Sequence, residues 1–257
     1  MLISPNHKFI FFKPMKCAGS SVEYALAQHC GETALCTGGE GEEIKAGFVH
    51  INNLFSEEGE EKWRFHAHTW PGLFFERILS PEDWKDYQKI TIVRNPWDAA
   101  VSFYWWAIYK MPRDPFVKMM NISPDVFLIQ EEDSSLVAQR KFETFLNIVC
   151  PLDSIRPEVL KVKCTPLDYF AETNELFIDK CVDYYLRFEN LQSDYNELCH
   201  KLNLEKSTLP KFKTIQRKLG HHYSYYYSNT CRDAIEMRFP HTIQKFKYRF
   251  IKEGTAT

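Results

Sequence analysis

The sequence predicts an α/β protein, a single domain over residues 1–257 in which a central parallel sheet is flanked by helices. Three observations carry this reading. Short apolar runs at 8–12, 89–93 and 181–188 have the length and character of buried strands. Each run turns into a stretch of helical period, so strand and helix alternate three times in order. The length of 257 residues suits one substantial core carrying insertions.

Taken along the chain, the first strand "KFIFF" leads into a helix over 20–30, with apolar positions at Val22, Leu26 and Tyr24 or Ala25. Residues 31–62 are rich in Gly and Glu ("GGEGEE", "SEEGEE") and read as an irregular insertion. "SPEDW" marks a helix start, with Ser80 as cap, Pro81 at the first helical position and Asp83 where a capping box usually has Glu. "KITIV" is the second strand, and Pro96 opens the helix that follows it. Residues 111–135, with Pro112, Pro115 and Pro124, form a second irregular insertion, followed by helical period over 134–150. The third strand, 181–188, leads into a helix over 189–204, and the last helical stretch, from about Asn229, is interrupted at Pro240.

Composition limits the function classes. With 44% apolar and 26% charged residues the chain has a globular balance, and its longest apolar runs are too short to span a bilayer. The opening residues lack the order of a signal peptide, so a cytoplasmic protein without a membrane partner is expected. Eight cysteines stand without a CxxC pair, which gives neither zinc nor redox spacing and suits reduced thiols. Net charge is −2, yet residues 201–257 hold twelve Lys/Arg against four Asp/Glu. That segment can face an anion, although a solvated basic surface gives the same count.

In α/β sheets ligands sit beyond the carboxyl ends of the strands. Two strand-to-helix turns there have anion-binding chemistry. In "FKPMKCAGSSV" Gly19 permits close backbone approach, the helix N-terminus offers unpaired N–H groups, Lys16 adds charge, and Ser20 and Ser21 add hydroxyls. Lysine precedes the lone glycine, so this is not the GxxxxGK[ST] loop of nucleoside triphosphatases. A tight turn with serine caps also explains the stretch. In "TIVRNPWDAAVSFY" a strand delivers Arg94, whose planar fork suits phosphate oxygens, and Ser102 follows two turns later. A plain ion pair between Arg94 and Asp98 is the structural alternative.

Two anion sites call for a ligand with two separated anionic groups. "IFFKPMKCAGSSV" resembles the 5′-phosphosulfate loop of the sulfotransferases that use 3′-phosphoadenosine 5′-phosphosulfate (PAPS), and "VRNPWDAAVSFY" resembles their 3′-phosphate motif. "YYLRFENLQSDY" is similar to the family's strand, Phe-Glu-Asn-Leu and helix, and "HHYSYYYSNTCRDAIEMRFPHTIQKFKYRF" to its closing segment. The pattern departs from the family's at Pro14, two positions before Lys16, at Cys17 and Ala18, and at Ala99, where the second motif has another arginine.

The resemblance implies a P-loop-NTPase-like sulfotransferase fold and transfer of a sulfuryl group from PAPS to an acceptor hydroxyl, with no metal required. It assigns Lys16, Cys17, Ala18, Gly19, Ser20 and Ser21 to the 5′ end of the donor and Arg94 and Ser102 to its 3′-phosphate. Arg217 or Lys218 stands in for the missing arginine, and Tyr223, with His221, His222 and Tyr226, folds over the nucleotide or belongs to a local core. "RFHAHTW" resembles the histidine region of uronosyl 2-O-sulfotransferases and bacterial relatives, which makes His68, and secondarily His66, the expected catalytic base; Glu76 and Asp83 are carboxylate alternatives. A His near its reference pKa suits that task at neutral pH.

The tryptophans at 70, 97, 105 and 106 either line an acceptor pocket or pack against the sheet. A chain of mildly acidic charge favours a small neutral or cationic hydroxyl compound, or a neutral sugar, over a polyanion or nucleic acid. A phosphoryl-transfer enzyme and a non-catalytic nucleotide-binding protein are the rival classes. The sequence names neither acceptor nor oligomeric state.

Overall fold

The computed structural model describes residues 1–31, 33–36, 49–50, 79–109, 126–147, 165–175, 178, 181–212 and 220–254. The chain divides into two compact units, Met1–Arg94 with Leu176–Lys213 and Asn95–Glu175 with Thr214–Thr257. No helix among the described residues is long and apolar enough to cross a membrane.

The first unit is built on a six-stranded sheet. Its strands are β1 (Leu2–Ser4), β2 (Phe9–Phe11), β3 (Leu35–Cys36), β4 (Val49–His50), β5 (Gln88–Val93) and β6 (Tyr184–Arg187), in the order β4-β3-β1-β2-β5-β6. The pairs β2–β5 and β5–β6 are parallel, as the alternation of strands and helices predicts. The sheet as a whole is mixed, which corrects the expectation of a parallel one: β1 runs antiparallel to both β2 and β3. Only residues 5–8 join β1 to β2, and so short a link permits a hairpin but no crossover. Residues 31–62, read as irregular, contribute β3 and β4 to the sheet edge.

Alternation along the strands fills both faces. Phe9, Phe11, Ile90 and Ile92 join Val22 and Leu26 of α1 (Gly19–Cys30) and the buried Tyr195 and Leu198. Ile10 and Phe12 face the other way, with Ile3 and Tyr87, and Trp84 packs against them. Trp84 belongs to α2 (Pro81–Asp86), where the predicted cap is present: Asp83 N–H donates to Ser80 Oγ at 3.0 Å, and Ser80 Oγ donates to Asp83 Oδ2 at 3.0 Å.

The second unit is helical and aromatic. Its helices are α3 (Pro96–Tyr109), α4 (Ser135–Asn147), α5 (Pro166–Glu175), α7 (Asn229–Arg238) and α8 (Pro240–Phe246), while α6 (Leu191–Lys201) follows β6 in the first unit. Asn95 caps α3, its Oδ1 accepting from the N–H groups of Trp97 and Asp98. The break at Pro240 is real, and the carboxylate of Glu175 accepts from the N–H groups of His241 and Thr242 at the start of α8.

Helix α5 went unread in the sequence although its signal is there. Thr165 and Asp168 form a reciprocal cap, with Asp168 N–H donating to Thr165 Oγ1 at 3.1 Å and Thr165 N–H to Asp168 Oδ2 at 3.2 Å. The core of the unit stacks Phe103 on Phe170 at 5.0 Å and sets Tyr104 edge-on to Phe142 and Phe145. Tyr104 Oη donates to the Phe127 carbonyl and accepts from Ile129 N–H, so the buried hydroxyl is satisfied.

Candidate active site

Residues 12–21 leave β2 and enter α1 through a constrained turn. Lys16 and Ala18 both have φ of 60°, the left-handed region that costs a residue with a Cβ roughly 1–2 kcal/mol. Left-handed residues in a turn let successive N–H groups converge on one point, an arrangement suited to anions. Ala18 is the N-cap of α1 and offers no side-chain acceptor; its carbonyl takes Ser21 N–H at 3.0 Å and Val22 N–H at 3.5 Å. The preceding amides, those of Gly19 and Ser20, lie before the helix's own ladder begins. The strain and the helix start thus fall on the same few residues, and such coincidence marks functional turns.

Arg94 closes the turn from β5. Its Nη1 donates to the Lys16 carbonyl at 2.6 Å, and its guanidinium lies 3.8 Å from the centre of the Phe188 ring. Phe188 follows β6 directly, so the register Val93↔Arg187 brings that ring beside the arginine. Adjacent strands β2, β5 and β6 therefore deliver Lys16, Arg94 and Phe188 to one place at their carboxyl ends. The sequence singled out Lys16 and Arg94 as ends of two separate sites; the geometry makes them neighbours through the Lys16 carbonyl.

The other assigned turn residues divide by burial. Ser20 is half-buried, whereas Ser21 is buried and its Oγ accepts from Phe212 N–H at 3.4 Å. Cys17 is buried and its thiol donates to the Met15 carbonyl at 3.3 Å. Burial pushes that thiol up to about 12, more than Arg94 and Lys16 pull it down. Cys17 of the folded protein is accordingly expected to resist iodoacetamide at pH 8 and to react after denaturation, as read by peptide mass mapping; rapid native labelling would contradict it.

Beneath the turn lie two residues that the sequence reading passed over. Lys13 and Glu23 are 7% and 1% exposed, and Lys13 Nζ donates to Glu23 Oε2 at 2.7 Å. The amino group of Met1 donates to the other carboxylate oxygen at 2.7 Å. Burial raises the affinity of Glu23 for a proton, but the two cations outweigh it and hold the carboxyl below its ordinary value. A charged residue on the buried face of α1, beside Val22, was the available signal.

Ser102 is half-buried on α3, within the second unit. Ala99, at the position of the family's second arginine, is 3% exposed. Tyr223 is buried in its own unit, its Oη accepting from Ile251 N–H at 2.7 Å and its ring edge-on to Phe250. Trp97 and Trp105 are buried packing residues, with Trp97 Nε1 donating to the Arg232 carbonyl. Asp83 serves as part of the α2 cap. His66, His68, Trp70, Glu76, Arg217 and Lys218 lie outside the described residues.

Comparison with protein families decides the class: the model described as "Sulfotransferase family" matches residues 1–250. The chain belongs to the sulfotransferase family. No curated protein and no solved structure matches it. The match spans both units of this sulfotransferase and covers the turn at 12–21, Arg94 and the closing segment. Sulfuryl transfer is therefore the general chemistry that the site has to support.

Proposed function

We propose that this sulfotransferase takes its sulfuryl group from PAPS and delivers it to a hydroxyl of a small molecule or sugar. The supporting observation is the junction at the Lys16 carbonyl, where the Arg94 guanidinium ties a left-handed turn carrying Lys16 to a helix N-terminus beyond adjacent parallel strands. Such a cradle suits a phosphosulfate. PAPS supplies an activated sulfuryl group, and the remaining roles belong to the chain.

Lys16 carries the mobile charge for the oxygen that bridges phosphate and sulfate, where negative charge grows as the bond breaks. The amides of Gly19 and Ser20, with the Ser20 hydroxyl, orient the same end. Arg94 holds the turn in place through the Lys16 carbonyl, and the motif assigns Arg94 and Ser102 to the 3′-phosphate. Arg217, Lys218 and Tyr223 enter from the resemblance alone. Positioning and electrostatics supply the rate without a metal.

His68 is the proposed base that takes the acceptor's proton, with His66 in reserve. His68→Ala is expected to keep its affinity for adenosine 3′,5′-bisphosphate while turnover falls by about 10²–10⁴-fold. Full activity in that variant would remove His68 from the role.

The near-neutral, slightly acidic chain favours neutral or cationic acceptors over polyanions. Incubation with labelled PAPS and a panel of hydroxyl acceptors, with and without a chelator, tests the whole reading. Label should pass to an acceptor equally well in both conditions. Transfer from ATP in place of PAPS would assign the protein to phosphoryl transfer, and binding without transfer to any acceptor would make it a nucleotide-binding protein.

A further inference from the structure

We infer that Lys13 and Glu23 are positioning residues for the sulfuryl donor: a buried ion pair that holds the turn at 13–19 in its anion-binding shape from below. The inference rests on the donor site proposed above, and it concerns residues that touch no ligand there.

The argument begins with Gly19. A Cβ built at Gly19 would stand 2.5 Å from Lys13 Cγ and 3.5 Å from Lys13 Cβ and Cδ. The aliphatic stem of Lys13 thus runs directly under the first residue of α1. It cannot swing aside, because Nζ is held by Glu23 Oε2 at 2.7 Å with both side chains at most 8% exposed. Glu23 sits on the same helix, four residues after Gly19, so the helix, the lysine and the turn close a small loop.

Inside that loop the backbone passes through the left-handed residues Lys16 and Ala18. Left to itself, such a segment relaxes toward ordinary conformations. Arg94 fixes the turn from above through the Lys16 carbonyl, and the Lys13–Glu23 pair fixes its two ends from beneath. The lysine stem also explains the glycine: position 19 is small because Lys13 occupies the space its side chain would need.

A buried pair need not add stability, since apolar residues of similar volume often serve as well. Its distinguishing effect here is on geometry. A displacement of about 1 Å at a reacting group can lower a rate by about 10²-fold. The pair should therefore appear in donor binding and turnover, not in acceptor recognition.

Lys13→Met keeps the stem under Gly19 and removes the charge, while the Met1 amino group still faces Glu23. Binding of adenosine 3′,5′-bisphosphate by calorimetry and donor and acceptor KM are measured on protein whose folding is checked by its melting transition. Lys13→Met and Glu23→Gln are expected to weaken bisphosphate binding and raise the donor KM by roughly tenfold or more, with acceptor KM unchanged. Gly19→Ala should lose roughly 10²-fold in bisphosphate affinity in the wild-type background and less than about threefold more in a Lys13→Ala background, because the atom it strikes is gone.

That coupling between positions 13 and 19 is a readout that general destabilisation does not produce, and it remains available if Glu23→Gln fails to fold. Equal losses from Gly19→Ala in both backgrounds, or Lys13→Met with wild-type donor KM, would overturn the inference while leaving the donor site standing. A wild-type protein that binds neither PAPS nor the bisphosphate would instead remove the donor site and this inference with it.

Discussion

Arg94→Met is expected to lower kcat/KM for PAPS by about 10²–10³-fold with the protein still folded. The guanidinium meets the Lys16 carbonyl at 2.6 Å and the face of Phe188 at 3.8 Å. Methionine preserves an apolar body over the ring but donates nothing to the carbonyl. The turn then loses its upper tie, and the donor loses a fork for phosphate oxygens.

Arg94→Lys should rescue little of this, since a point charge on a flexible stem cannot stack and donate in a plane at once. Steady-state kinetics with PAPS and with adenosine 5′-phosphosulfate separate the two contributions. A loss confined to PAPS belongs to the 3′-phosphate, and a loss shared by both donors belongs to the tie on Lys16. Wild-type kinetics with both donors would show that Arg94 is only a structural partner of Phe188.

Lys16→Gly should reduce kcat by about 10²–10³-fold while adenosine 3′,5′-bisphosphate affinity changes severalfold at most. Glycine is the informative replacement because the native φ at this position is 60°. A residue without Cβ adopts that conformation without penalty, so the backbone of the turn is kept and only the ammonium is lost. Lys16→Ala would mix loss of charge with the same left-handed strain and is the poorer probe. Single-turnover measurement at saturating PAPS isolates the chemical step. A Lys16→Gly enzyme with unaltered single-turnover rate would show that the bridging oxygen needs no cation from this position.

Much of the frame could be read from the sequence because its signals are local. Strand β5 is a buried run with a turn at each end, α2 carries a complete cap in "SPED", and Pro96 and Pro240 mark helix starts. The turn at 16–21 showed itself through residue types alone. Elements of two or three residues, β1, β3 and β4, hold too few positions for any period to register, and tertiary pairing creates them.

The supporting side chains were hidden for a different reason. Lysine and glutamate are ordinarily read as solvated, and nothing local says that Lys13 and Glu23 share a buried space. Phe188 lay within a recognised motif, yet its role depends on the register of β5 with β6. For Tyr223, Trp97 and Trp105 the sequence left ligand contact and packing open, and all three are buried within the second unit.

The pairing of β6 with β5 also sets an order of assembly. Lys89 N–H donates to Asp183 Oδ2 across 94 positions of chain, and Phe188 reaches its place only once that distant parallel pair has zipped. Contacts of such long sequence separation form late and slowly. A ribosome-bound chain ending before β6 would hold the anion turn and its arginine without the ring that steadies them. Under the proposed function, competence for the donor is thus acquired only after β6 has been made, not inherited from the first helix to emerge.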